Sequence, residues 1–137
     1  MLHMMKLAVG VRDPAHLHAL QALRVVQDPP LLHRTRQMPR RSAEIVAGGS
    51  LYWVIAGSML VRQRIVDIVA DARPDGSACA ALILDPVLVG VVGRPVRPFQ
   101  GWRYLTAEAA PADLTAAGED GAMPPALAQR LRELCLL

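Results

Sequence analysis

The chain has 137 residues, of which 53% are hydrophobic, 4% aromatic and 20% charged, with a formal net charge of +3. This length fits one domain, long enough to bury a core of its own. No uncharged apolar run is long enough to span a membrane, and the first residues lack the features of a signal peptide. We therefore expect a cytoplasmic protein with no membrane partner.

The positive charge is concentrated in the first half of the chain. Residues 1–66 hold nine Lys or Arg and three acids, a balance of +6, whereas residues 67–137 hold six and nine, a balance of −3. Arginine outnumbers lysine fourteen to one. The planar guanidinium group suits phosphate and carboxylate oxygens, although a genome rich in G and C would produce the same bias.

The first third of the chain predicts a strand, a helix and a second strand. Leu2–Val9 reads as the opening strand. Asp13 followed by proline is typical of a helix N-terminus, and the apolar spacing predicts a helix over Pro14–Val26. Asp28–Pro30 ends this helix, and Leu31–Met38 is the second strand.

A short helix and two long strands are predicted next. Pro39–Ala47 reads as the helix, with Ser42 as its cap. The strands are Leu51–Ile55 and Met59–Ala70, joined at Gly57. A helical stripe also fits part of the second segment, but its β-branched residues favour a strand.

Arg62 and Arg64 share one face of that strand, because side chains alternate along a strand. If this face is the interior side of a small barrel, their guanidinium groups must meet anions, carboxylates or carbonyl oxygens.

The remainder predicts short strands and an appended tail. Arg73–Gly76 is a turn that leads into a strand closed by Asp85 and Pro86, and Gly101–Leu105 is the last strand of the sheet. We interpret residues 1–114 as a single α+β domain, a strand-rich twisted sheet or small barrel with peripheral helices. Residues 115–137 are predicted to add a mobile stretch and a C-terminal helix.

Several ordered motifs carry a resemblance to a known family. They are Gly-Gly-Ser-Leu-Tyr-Trp-Val from residue 48, Arg-Gln-Arg-Ile from residue 62, Asp-Pro at 85, and Arg-Pro-Phe-Gln-Gly-Trp-Arg-Tyr-Leu from residue 97. With these motifs the chain resembles a family of small uncharacterised proteobacterial proteins, over roughly residues 1–114. The resemblance implies a family and no activity.

The order of elements is also similar to that of the PUA-like barrels, which include ASCH-type and YTH-type RNA-binding domains. The similar elements are a short helix at Ser42–Ala47, the segment Gly49–Tyr52, and the late aromatic strand at Trp102–Tyr104. This resemblance implies a small barrel that binds RNA.

The basic half predicts binding of an anionic ligand, RNA or a nucleotide, without catalysis. Phosphates need clustered cations, and single-stranded bases need flat side chains on which to stack. The side chains predicted to hold phosphates are Arg34, Arg36, Arg40 and Arg41, with Arg62 and Arg64 in the groove behind them. Those predicted to stack on bases are Trp53, Trp102 and Arg103. The alternative is that both tryptophans are core anchors and the arginines a solvated edge.

Two other function classes stay open. A small enzyme is the first, although no catalytic residue stands out: His16 and His18 point about 200° apart on a helix, and Cys79 and Cys135 have no metal-type spacing. We therefore predict no metal and no cofactor. The second is a homodimeric interaction module, which would use the leucines of the terminal helix.

Overall fold

The computed structural model describes residues 1–114 of the chain. Strands dominate this part, and two helices flank them. In chain order the elements are β1 (Leu2–Leu7), α1 (Pro14–Gln27), β2 (Leu32–Thr35), α2 (Ser42–Val46), β3 (Ser50–Ile55), β4 (Ser58–Ala72), β5 (Ala78–Pro95) and β6 (Trp102–Thr106). The prediction of a strand-rich α+β fold is confirmed.

The six strands form one twisted sheet in the order β2-β5-β4-β3-β1-β6. Only β1 and β3 pair in parallel, with Met4 opposite Leu51; the other neighbours are antiparallel. The crossover between these two strands carries α1, β2 and α2. Within the described residues, β2 and β6 are the two edges and do not pair with each other, so the sheet is open.

Two tight turns follow from local sequence. Ala56 and Gly57 connect β3 to β4 with φ angles of 51° and 84°. Positive φ angles at both positions are typical of the two-residue hairpin turn that matches the twist of the strands. At the turn between β4 and β5, Gly76 has a φ of 87° and its N–H donates to the carbonyl oxygen of Arg73. The predicted hairpin at this position is confirmed.

Hydrophobic residues cover both faces of the sheet. Every residue of β3 is buried. Leu51 and Trp53 belong to a core that Leu17 of α1 covers, whereas Tyr52 packs on the opposite face with Phe99, from the segment before β6. Because β3 is central and apolar on both sides, it forms the middle layer of the domain.

Helix α1 begins as its sequence predicts. The Asp13 side chain caps it, since Oδ1 accepts a 2.8 Å hydrogen bond from the His16 N–H. The prediction that Ser42 caps α2 is wrong: the cap position is Arg41, which makes no capping hydrogen bond with its side chain. Arg41 and Glu44 instead form an ion pair across this first turn.

The prediction that Asp85 and Pro86 end a strand is also wrong, because β5 continues through them to Pro95. Gln63 pairs with Leu88 and Ile65 with Leu84, so three residues of β5 stand opposite the single residue Arg64. This bulge accommodates the proline, which has no N–H to give to a regular ladder.

Other predictions concern residues 115–137, which lie outside the described part. They are the mobile stretch, the terminal helix and the dimer that its leucines Leu127, Leu131 and Leu134 would form. Among residues 1–114, neither helix has the length and hydropathy needed to cross a membrane.

Candidate anion-binding cleft

The two edges of the sheet bound a cleft of about 890 Å³. Strand β2 and the residues after it form one wall, and β6 with the residues before it forms the other. β1 and the turn between β4 and β5 contribute one side chain each. The lining residues are Lys6, Arg34, Thr35, Arg36, Gln37, Arg73, Gln100, Gly101, Trp102, Arg103 and Tyr104.

Five cationic residues line this cleft, and none of its lining residues is acidic. They are Lys6, Arg34, Arg36, Arg73 and Arg103. Among the ion pairs of the described residues, one involves a member of this group: Arg34 Nε lies 2.8 Å from Asp71 Oδ2. A concave surface lined by charges of one sign focuses the electrostatic potential and attracts anions.

Aromatic rings form the β6 wall. The rings of Trp102 and Tyr104 meet edge to face, with centroids 4.9 Å apart and an interplanar angle of 77°. The backbone N–H of Arg41 donates a 3.2 Å hydrogen bond to the Tyr104 hydroxyl, and the Arg41 guanidinium lies 5.7 Å from the centre of that ring. These contacts tie the start of α2 to β6.

Arg103 is also positioned by a ring. Its guanidinium lies 5.5 Å from the centroid of Phe99, which is itself buried. A cation at this distance from an aromatic face is attracted by the ring quadrupole. The contact fixes the Arg103 side chain beside Phe99, on the face of β6 opposite to Trp102 and Tyr104.

Lys6 lines the cleft, is half-buried and is the single lysine of the chain. It stands opposite Trp53 in the β1–β3 ladder and opposite Trp102 in the β1–β6 ladder. Burial, and next the positive charge of Arg73, lower the pKa of its amine from the ordinary value. The proximity of these two cations shows that the cleft concentrates like charge.

A second, smaller hollow of about 220 Å³ adjoins the cleft and shares Lys6 and Arg34 with it. Its wall is mostly apolar and comes from α1, the end of β1 and Trp53. His33 also lines it, and the buried Nε2 of this ring has no hydrogen-bond partner in the described part of the chain. Burial lowers the pKa of His33 to about 4, with smaller contributions from Lys6 and Arg24.

The cleft brings together four of the nine residues that the sequence proposes as ligand contacts: Arg34, Arg36, Trp102 and Arg103. Arg41 adjoins it through Tyr104. Arg40 is exposed and does not line it.

Trp53 lies in the core, where 4% of its surface is exposed. Its Nε1–H donates a 3.0 Å hydrogen bond to Gln63 Oε1, and its ring meets His33 edge to face at 5.2 Å between centroids. Stacking of a base on this ring would require the core to open. Trp53 therefore acts as a core anchor.

Arg62 and Arg64 are held by internal partners of the kinds expected for that strand face. The Arg62 guanidinium forms two hydrogen bonds with the Asp113 carboxylate, 2.6 and 2.7 Å long. Arg64 donates to the backbone carbonyls of Gly49, Ile65 and Val46. Neither side chain lines the cleft, and both stabilise the sheet.

Sequence reasoning missed Lys6 and Arg73. Lys6 follows Leu2 and Met4 on the inward face of β1. A cation at the third position of this alternating apolar pattern could have indicated a charged side chain that faces inward. Arg73 lies in a turn, where charge is ordinary. Its place in the cleft depends on the length and curvature of β4, which no local pattern encodes.

Comparisons with known proteins add a family and no activity. The family model described as "Protein of unknown function (DUF1489)" matches residues 4–137. This match includes the tail that the resemblance in the sequence left out. No curated protein and no solved structure matches the chain.

Proposed function

Because the chain belongs to the DUF1489 family, whose description states no activity, we propose a function from the cleft itself. The protein binds a phosphate-bearing ligand without bond-making, and the ligand is a short stretch of single-stranded RNA or a nucleotide. The observation that carries this proposal is the meeting of five cations and two aromatic rings in one cleft that has no acidic lining residue.

The cations supply the affinity. Arg36 and Arg73 belong to no ion pair of the described residues, so their guanidinium groups can form paired hydrogen bonds with phosphate oxygens. Arg34 forms an ion pair with Asp71, and both side chains are partly exposed. Such a pair contributes little to stability, so a phosphate can replace the carboxylate at small cost.

The rings supply the preference for a base. Trp102 is half-buried and Tyr104 is 36% exposed, so part of each ring faces solvent at the cleft. Stacking on an aromatic side chain contributes roughly 1–3 kcal/mol per base and tolerates any base. A single-stranded ligand fits this wall better than a duplex, whose bases already stack on each other.

The proposal is tested by measuring the affinity for a fluorescent single-stranded RNA over a range of salt concentrations. Each phosphate that is neutralised adds about 0.7 to the slope of log K against log salt. We expect Arg36→Ala and Arg73→Ala each to lower this slope by about that amount. Arg40→Ala is the matched control, because Arg40 is exposed but outside the cleft.

Binding that is undetectable, or that does not depend on salt, contradicts the proposal. Equal effects of all three substitutions would also contradict it, since they would indicate attraction to the overall charge and not to the cleft. A ligand of this class agrees with the cytoplasmic location expected from the sequence.

A further inference from the structure

Lys6 lies at the junction of two hollows with different chemistry. On one side is the cationic cleft, and on the other is the smaller hollow lined by apolar residues of α1 and β1. None of the ion pairs among residues 1–114 includes Lys6. An amine in this position can contact a ligand of either hollow, and no described carboxylate forms an ion pair with it.

We propose that Lys6 is a reactive amine that captures a phosphorylated aldehyde or ketone as an imine. The phosphate of this compound lies among the arginines of the cleft, its carbonyl carbon lies at Lys6 Nζ, and its uncharged body enters the adjoining hollow. This inference uses the same cleft but goes beyond the proposed function, because it requires no RNA.

Nearby cations favour the neutral amine, which is the nucleophilic form. The cations that line the two hollows with Lys6 are Arg34, Arg36, Arg73, Arg103 and Arg24, and the charge of Arg73 acts on the Lys6 amine. His33, whose pKa is about 4, adds no charge near pH 7. Arg34, which lines both hollows with Lys6, forms an ion pair with Asp71. Burial and Arg73 lower the pKa of Lys6, so more of the amine is neutral than at an exposed site.

The smaller hollow fits an uncharged body. Leu17, Val11 and the edge of Trp53 contribute apolar surface. His33 contributes a polar atom: its buried Nε2 has no partner among the described residues, and a neutral imidazole can donate or accept a hydrogen bond there. A buried polar group without a partner is costly, and a hydroxyl or ring nitrogen of the ligand would satisfy it once the ring turns to expose that atom.

The proposed step is balanced without any further reagent. The lone pair of Nζ attacks the carbonyl carbon, and a proton moves from nitrogen to the carbonyl oxygen to give a carbinolamine. The hydroxyl of this intermediate then leaves as water and the C=N bond forms. Amine and carbonyl are consumed, imine and water are produced, and nothing is oxidised or reduced.

Pyridoxal 5′-phosphate is a suitable probe, because it joins a phosphate, an aldehyde and an uncharged aromatic body. The folded 137-residue chain is incubated with the probe, the imine is reduced with borohydride, and the labelled peptide is identified by mass spectrometry. The chain has two amines, Lys6 and the α-amine of the exposed Met1. In urea the label should fall mainly on Met1, since α-amines ordinarily have a pKa of about 8 and lysines about 10.4.

In the folded chain we expect the label to fall mainly on Lys6. 5′-Deoxypyridoxal, which lacks the phosphate and cannot close to a hemiacetal, should label Lys6 about tenfold less, because the charge-assisted hydrogen bonds are lost. Arg73→Ala should lower labelling by the phosphorylated probe more than labelling by 5′-deoxypyridoxal, which loses only the effect of Arg73 on the Lys6 pKa. Label that stays mainly on Met1, or that is equal for both probes, overturns the proposal.

Lys6→Arg separates this inference from the proposed function. The variant keeps the charge but cannot form the imine, so it should lose the label and retain salt-dependent RNA binding. Wild-type protein that binds RNA but is not labelled at Lys6 contradicts the imine alone. Protein that is labelled at Lys6 but does not bind RNA contradicts the proposed function alone.

Discussion

The side-chain amides of Gln21 and Gln63 form two reciprocal hydrogen bonds, 2.9 and 2.7 Å long, between α1 and β4. Gln63 is fully buried, and its Oε1 also accepts the Trp53 N–H. This polar cluster is surrounded by the core that packs against α1. Because hydrogen bonds are directional, it fixes the position of the helix on the sheet more closely than apolar packing alone.

Gln21→Ala should therefore destabilise the protein. The substitution leaves the buried Gln63 amide without its partner, at a cost of about 1–3 kcal/mol in the free energy of unfolding. Urea denaturation at pH 7 measures this change. Gln27→Ala, at the exposed end of the same helix, is the control and should change stability by less than about 0.5 kcal/mol.

His33 should make stability fall in mild acid. Its pKa is about 4 in the folded protein against an ordinary value of 6.5, so the unfolded chain binds the proton more readily between these limits. Its contribution is present above pH 6.5 and is lost as the pH falls towards 4; from pH 7 to pH 5 the loss is roughly 2 kcal/mol. His33→Phe keeps a ring against Trp53 and should remove the His33 share of this loss, leaving the share of His3, whose pKa burial also lowers; His18→Gln should retain the whole loss. The urea midpoint of the wild type and of both variants, measured from pH 7 to pH 5, tests this expectation.

Gly49→Ala should prevent normal folding or weaken it severely. A Cβ at Gly49 would overlap the carbonyl oxygen of Leu2 and lie 2.6 Å from that of Ile45, and both are backbone atoms that cannot move aside. We expect a loss on the order of 3 kcal/mol in the free energy of unfolding, visible as a lower melting temperature. Gly93→Ala is the matched control, since its Cβ would meet only Leu60 at 3.5 Å. Similar melting temperatures for the two variants would contradict the prediction that the close backbone contact at Gly49 excludes a side chain.

Asp71→Asn should strengthen anion binding. The substitution frees Arg34 from its ion pair and removes a negative charge next to the cleft. A partly exposed pair of this kind contributes up to about 1 kcal/mol, so the RNA affinity should rise by roughly two- to fivefold at low salt. Asp75→Asn, in the neighbouring turn, changes the net charge equally. If both variants gain the same affinity, the effect comes from the overall charge.

Local signals predicted the parts of the fold that depend on neighbouring residues. Asp13 before a proline set the start of α1, and Arg73–Gly76 set a turn, because each acts within a few residues. The Asp85–Pro86 dipeptide was misleading for the opposite reason. Pairing along the whole length of β4 outweighs the local preference of proline, and a bulge accommodates it.

The candidate site could be predicted only in part, because arginines that look alike in sequence have different partners in space. Arg34 and Arg36 face the cleft. Arg62, also on a strand, is neutralised by Asp113, which lies 51 residues further along the chain. The topology of the sheet determines pairings between residues so far apart in sequence. Composition and periodicity do not predict them.

The walls of the cleft are strands β2 and β6, which lie at opposite ends of the hydrogen-bonding order of the sheet. The cleft therefore exists only when every strand between them is in place. A ligand held there opposes any opening that separates its walls, at an energy of about 2.7 kcal/mol when its concentration is 100 times Kd. Bound RNA should thus slow amide hydrogen exchange in the interior of β4 and β5 as much as beside the ligand itself.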